Sequence, residues 1–132
     1  MILVHGLWSD PSTWQESGAS GFLRNAGFQV FTLNYQNTNA AHFSVNAGLL
    51  FEEIRSQLRP LRDSGEAIAR VDLVTHSMGG VIARTMAKSL QYNNTFGKGL
   101  IRCIVTMGTQ HWGSPWANLL LGRVDIQFDI LA

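Results

Sequence analysis

Val71-Asp72-Leu73-Val74-Thr75-His76-Ser77-Met78-Gly79-Gly80 is an apolar strand run that stops at a serine among small residues and turns into a helix. A serine on such a strand-to-helix turn has its Oγ pushed out above the end of the sheet, and the turn needs small residues two places before and two places after it. Thr75 and Gly79 hold those places. The pattern is usually G-x-S-x-G, so Thr75 is a departure that the neighbouring strands must accommodate around a β-branched side chain. Ser77 is therefore the candidate nucleophile. The helix behind it is expected from Met78 to about Tyr92, with Val81, Ile82, Thr85, Met86 and Ser89 sharing a face.

Outward from this stretch, strand-like and helical segments alternate. Met1 to Val4, Phe28 to Leu33, Ala69 to Val74 and Leu100 to Met107 read as four short strands. After the first, Asp10-Pro11 and Ser12-Thr13-Trp14-Gln15 give two overlapping helix starts, a proline at the first helical position or a capping box from Ser12 to Gln15. One helix is expected from there to about Ala26, ended by Gly27. Asn34 to Asn39 is a polar turn region. A long helix follows from about Val45 to Arg62, with Leu50, Ile54, Leu58 and Leu61 on one stripe and Pro60 set to kink or shorten it. Ser114-Pro115 starts a short helix that stops near Gly122, and Val124 to Ile130 alternates with period two, as a half-buried strand or a lid segment.

Such alternation predicts an open parallel sheet with helices on both faces, in a single domain without repeats or linkers. Open parallel sheets bind ligands at the carboxyl edge, where the direction of strand addition reverses. If the second strand lies outside the first and the third on its other side, the reversal falls between the strands ending in His5-Gly6-Leu7 and His76-Ser77-Met78.

Three motifs, in this order and spacing, resemble the α/β-hydrolase superfamily, specifically its lipase and esterase branch. They are the strand and His-Gly turn Met1-Ile2-Leu3-Val4-His5-Gly6-Leu7-Trp8, the Ser77 turn, and Val105-Thr106-Met107-Gly108-Thr109-Gln110-His111-Trp112-Gly113-Ser114. The last looks like the strand and G-T-x-H-x-G-S loop that follow the nucleophile helix in many of these lipases. The resemblance covers nearly the whole chain. It implies an α/β-hydrolase core over residues 1–132, a partial domain truncated at its C-terminus, because 132 residues are fewer than a complete hydrolase of this type usually has.

The resemblance implies an acyl-enzyme on Ser77, with the backbone N–H groups of Leu7 and Met78 meeting the charge that develops on the ester carbonyl oxygen. His5, Gly6, Thr75, His76 and Gly79 would support them. His5 is expected to brace the oxyanion loop by hydrogen bonding, His76 to point back from the turn, and His42 to face solvent. In this superfamily the triad order is serine, acid, histidine, both partners coming from loops after later strands. The triad acid and histidine are therefore not identified in this chain. His111 follows Ser77 on the correct edge, but the family places a non-triad histidine there. Asp125 and Asp129 alternate with apolar residues like a solvated face. Trp8 and Trp112, with Trp116 behind them, could line an apolar acyl pocket or simply fill the core.

Composition narrows the remaining classes. With 45% hydrophobic residues, 14% charged residues and a net charge of +1, the chain reads as a buried, sheet-centred protein with no electrostatic case for nucleic acid. Cys103 alternates with apolar residues in Ile101-Arg102-Cys103-Ile104-Val105, which predicts a buried strand position, and a lone cysteine allows no internal disulfide. No histidine, cysteine and carboxylate cluster has ligand spacing, so neither metal nor cofactor is expected. No apolar run reaches the length of a transmembrane helix, although transient contact with a lipid interface stays open. The first strand begins at Met1, which argues against a signal peptide; compartment and oligomeric state are not legible. Asn93-Asn94-Thr95 is a glycosylation sequon by letter only. The reading is a serine carboxylic-ester hydrolase acting on a lipid or other small-molecule ester. A thioesterase or lipid acyltransferase of the same fold, and a catalytically incomplete hydrolase-like domain that binds an apolar ligand or a partner chain, are the alternatives.

Overall fold

The computed structural model describes residues 1–88 and 99–114. Four strands, β1 (Ile2–Val4), β2 (Phe31–Leu33), β3 (Val71–His76) and β4 (Ile101–Met107), form one sheet in the order β2-β1-β3-β4. Every neighbouring pair is parallel. The helices are α1 (Thr13–Glu16), α2 (Ala19–Asn25), α3 (Phe43–Asp63) and α4 (Met78–Lys88). Val4 lies in register with Leu33 on one side and Thr75 on the other, so β1 and β3 end together and their following turns open at one edge.

The central strand is buried on both faces, as a continuous apolar run in a parallel sheet should be. Ile2 and Val4 join Leu33, Leu73, Leu50, Ile54, Leu58, Ile82 and Met86 in the core under α3 and α4. Leu3 points the other way, into a smaller cluster with Trp14 and Val30 that Leu23 and Val74 flank. Helix α3 buries Asn46, Ala47, Leu50, Ile54 and Leu58 at three- and four-residue spacing, while Leu61 is half-buried. It starts before Val45 because His42 caps it, Nδ1 accepting from the Ser44 N–H at 3.3 Å. Pro60 sits in the last turns, where its carbonyl accepts from Ser64 N–H at 3.0 Å, and the helix runs on to Asp63.

Five expectations need correction. The single helix after the first strand is two short helices, parted at Gly18, whose φ of +74° is left-handed and cannot continue a right-handed helix. Neither helix-start signal operates as read: the Asp10 carboxylate accepts from Ser12 N–H at 2.7 Å in a local turn, and the Ser12 hydroxyl donates to Glu16. The second strand is shorter than expected, with Phe28 and Gln29 exposed, and the third begins at Val71 because Arg62 already holds the Ile68 and Ala69 carbonyls, at 3.0 and 3.3 Å. Cys103 is exposed, not buried. It shares the Leu3 and Val74 side of the sheet with Val105 and Met107, where no described element covers β4.

A register shift between Val71 and Asp72 accommodates Arg102, which grips the Asp72 carboxylate through Nε at 2.8 Å and again through Nη2. The helix end near Tyr92, the sequon Asn93-Asn94-Thr95, the short helix from Pro115 to Gly122, Trp116, and the tail with Asp125 and Asp129 lie outside the described residues. No helix among the described residues is long and apolar enough to cross a membrane.

Candidate active site

Ser77 occupies the single residue between β3 and α4 with φ at +52°, left-handed for a residue with a side chain. Such a conformation is uncommon outside glycine, asparagine and aspartate and persists where the surroundings impose it. Those surroundings are specific. The Ser77 N–H donates to the Met107 carbonyl at 2.8 Å, and its carbonyl accepts from Gly80 N–H at 3.1 Å and from the Thr109 hydroxyl at 3.0 Å. Thr75, the departure in the serine motif, is fully buried, and its hydroxyl donates to the Val105 carbonyl of β4 at 3.2 Å. The β-branched side chain is thus absorbed by a polar link between strands.

Two glycines bring the separate loops into contact. A Cβ on Gly79 would lie 2.6 Å from the Val4 carbonyl oxygen and 2.7 Å from that of His5, so α4 starts directly against the end of β1. One on Gly6 would lie 2.9 Å from His76 Nδ1 and 3.2 Å from Ser77 Cβ. The backbone after β1 therefore rests on the Ser77 turn. His76 is exposed with its ring against Gly6 at that same edge, instead of pointing back from the turn.

His5 is completely buried. Its Nδ1 lies 2.9 Å from the Gly6 carbonyl, which requires a proton on that nitrogen, and Nε2 accepts from the Tyr35 N–H at 3.5 Å. Burial pushes its pKa below the ordinary histidine value, favouring this neutral form. The Tyr35 ring stacks on it at 4.0 Å, and the Tyr35 hydroxyl donates to the His5 carbonyl. Burial raises the phenol pKa above its usual value and keeps that donor protonated. His5 thus ties the start of the loop after β1 to Tyr35, a residue that the sequence pattern did not single out. Asn39 was missed as well: buried, it donates from Nδ2 to the Ser9 carbonyl at 3.3 Å. The available signal was a single tyrosine within the polar run Asn34 to Asn39.

His111 and His42 are engaged with other partners. His111 Nδ1 lies 3.0 Å from Arg84 Nη1 and Nε2 lies 3.1 Å from the Thr106 hydroxyl. A guanidinium only donates, so Nδ1 accepts and Nε2 carries the proton toward Thr106; both nitrogens are engaged. His42 caps α3 at the exposed start of that helix. Leu7, 40% exposed, and Trp8, 73% exposed with φ at +53°, form the tip of the loop after β1, and Trp112 is 76% exposed in the loop after β4. None of these side chains fills the core. A cleft of about 380 Å³ lined by Phe28, Phe31, Leu61, Arg70 and Arg102 lies at the opposite, amino edge of the strands and does not touch Ser77. Among the described residues no group of histidine, cysteine and carboxylate side chains could hold a metal ion.

The comparisons with known proteins agree with this architecture. A family model described as the alpha/beta hydrolase family matches residues 1–130. No curated protein matches the chain. The crystal structure of Bacillus licheniformis lipase BlEst2 in its mature form is similar with a TM-score of 0.67 at 21% identity, over 91% of this chain and 44% of that one. The propeptide form of the same lipase is similar with a TM-score of 0.66 at 22% identity, over 89% of this chain and 24% of that one. At such identity the likeness is one of fold. The chain spans less than half the length of either lipase chain it matches.

Proposed function

Because the chain belongs to the α/β-hydrolase family, we propose that residues 1–132 are a single, partial hydrolase domain carrying the nucleophile of a carboxylic-ester hydrolase of the lipase or esterase kind. Ser77 Oγ attacks the ester carbonyl carbon, the alkoxide leaves with a proton, and water then hydrolyses the acyl-enzyme. In each tetrahedral intermediate the oxyanion is received by the N–H groups of Leu7 and Met78. The Met78 N–H opens α4, where no intrahelical partner exists and the helix dipole favours negative charge. His5, Gly6, Thr75, His76 and Gly79 shape the two turns around these donors.

The observation that supports this reading is the close packing of the Gly6 backbone on the Ser77 turn, which would bring the Leu7 N–H toward Ser77 Oγ. Neither His5 nor His111 has a ring nitrogen left for the Ser77 proton, and by the family order of serine, acid, histidine the general base and its acid are assigned to loops after later strands, outside the described residues. The exposed Leu7, Trp8 and Trp112 favour an apolar acyl group and transient contact with a lipid interface.

A fluorophosphonate probe applied to the whole protein should leave one adduct, mapping to Ser77, and Ser77→Ala should abolish both the adduct and ester hydrolysis. An adduct on Ser9 or Ser114 would refute the assignment. The 132-residue chain alone should retain no more than the roughly 10³–10⁴-fold acceleration over water that a triad enzyme keeps without its triad. Full turnover that depends on His111 would place the base within the chain.

A further inference from the structure

The loop that leaves β1 is short, exposed at its tip, and held at both ends by a single neighbouring segment. At its near end Tyr35 stacks on His5 at 4.0 Å with the rings 4° from parallel, while its hydroxyl donates to the His5 carbonyl. At its far end Asn39 donates to the Ser9 carbonyl at 3.3 Å. Gly6, Leu7 and Trp8 lie between these two points, with Trp8 in a left-handed conformation. The clamping segment is itself anchored: the Thr38 hydroxyl donates to Asn46 Oδ1 at 2.6 Å, and Asn46 Nδ2 donates back to the Thr38 carbonyl at 3.1 Å. Asn46 is fully buried in α3. A continuous path of polar contacts thus runs from the body of α3, through the turn after β2, to the two ends of the loop that carries Leu7.

We propose that Tyr35 and Asn39 are positioning residues that fix the direction of the Leu7 N–H toward the oxyanion, an assignment that rests on the reading of Leu7 as a donor. Beyond the Gly6 contact with the Ser77 turn, the loop's tip has little packing of its own, since Leu7 and Trp8 are both exposed, so its backbone direction depends on these clamps. A hydrogen bond weakens steeply as donor and acceptor fall out of line. A loosened loop would therefore cost most in the tetrahedral state, where the oxyanion bond is strongest, and little in the ground-state complex. Tyr35→Phe removes only the hydroxyl and keeps the stacked ring; Asn39→Ala removes only the far tether.

In the whole protein, each variant should lower kcat on a soluble short-chain ester about tenfold with KM nearly unchanged, a fraction of the roughly 10²–10³ that follows loss of an entire oxyanion donor. Affinity for an alkyl boronic acid, which forms a tetrahedral adduct on serine, should fall in parallel with kcat, while affinity for the unreactive alcohol of the same chain length should hold. A merely structural role would lower the melting temperature and leave kcat, KM and boronate affinity of the folded protein as they were. That result in both variants overturns the proposal. Should Tyr35→Phe fail to melt cooperatively, Asn39→Ala decides by the same readouts, because its bond lies outside the sheet core. Ser77→Ala with undiminished hydrolysis would instead overturn the acyl-enzyme reading itself, so the two failures are distinguishable.

Discussion

A methyl group added at position 79 would meet two backbone carbonyl oxygens of the central strand region, and neither can rotate away. Gly79→Ala must push α4 off the end of β1, and a loss of about 1–3 kcal/mol, the usual cost of overpacking, should appear in urea unfolding, together with slower phosphonate labelling of Ser77. Wild-type values for both would mean that the contact relaxes freely. His5 gives a pH dependence. The unfolded chain takes up a proton near the ordinary value of 6.5, whereas the buried ring resists protonation until lower pH. Below 6.5 the unfolded state thus binds the extra proton, so stability contributed by neutral His5 is complete above that pH and declines as pH falls toward the folded pKa. His5→Asn should flatten that acid-side slope in urea midpoints; equal slopes in both proteins would contradict it. The turn at Ser77 and the close approaches at Gly6 and Gly79 were legible because each is governed by its immediate neighbours in sequence. Tyr35 and Asn39 were not, because what makes them matter is a partner thirty residues away, at His5 and Ser9.

Elements followed the same division. The buried stripe of α3 and the four strands could be read from apolar spacing, whereas boundaries moved wherever a side chain captured backbone: His42 at the start of α3, Arg62 before β3 and Asp10 before α1. Gly18 split a helix that composition alone ran together, because its left-handed φ is a property of the chain path and not of the hydrophobic pattern. Between β3 and β4 the register shift is pinned by Arg102 on Asp72. The guanidinium holds the Asp72 carboxyl below its ordinary value of 3.8. The stabilisation from that pair is present above 3.8 and lost as pH falls through the lowered pKa. Arg102→Met should therefore lower the urea midpoint at neutral pH and approach wild type in acid. A deficit that persists unchanged at low pH would assign the effect to packing.

For the whole molecule, the strand order and the meeting of the Gly6 and Ser77 turns at the reversal point were foreseeable from alternation and motif order. The side of β4 that no described element covers was not, since period-two spacing says that residues alternate between faces and says nothing about what lies over each face. Cys103, Val105 and Met107 share that open side. Contiguous exposed apolar strands at a sheet margin drive association. The 132-residue chain should therefore self-associate in sedimentation at micromolar concentration, Val105→Lys with Met107→Lys should shift it toward monomer, and Cys103 should react with a maleimide without denaturant. A monomeric chain with an unreactive thiol would show that this side is covered. The position of β1 between β2 and β3 also governs the order of events during translation. Ile2–Val4 leave the ribosome before either neighbour exists, and β1 gains its second flank only after Val71 has followed. Pairings this distant in sequence form slowly. These three residues, all fully buried in the finished fold, are thus among those a nascent-chain chaperone would have longest to hold.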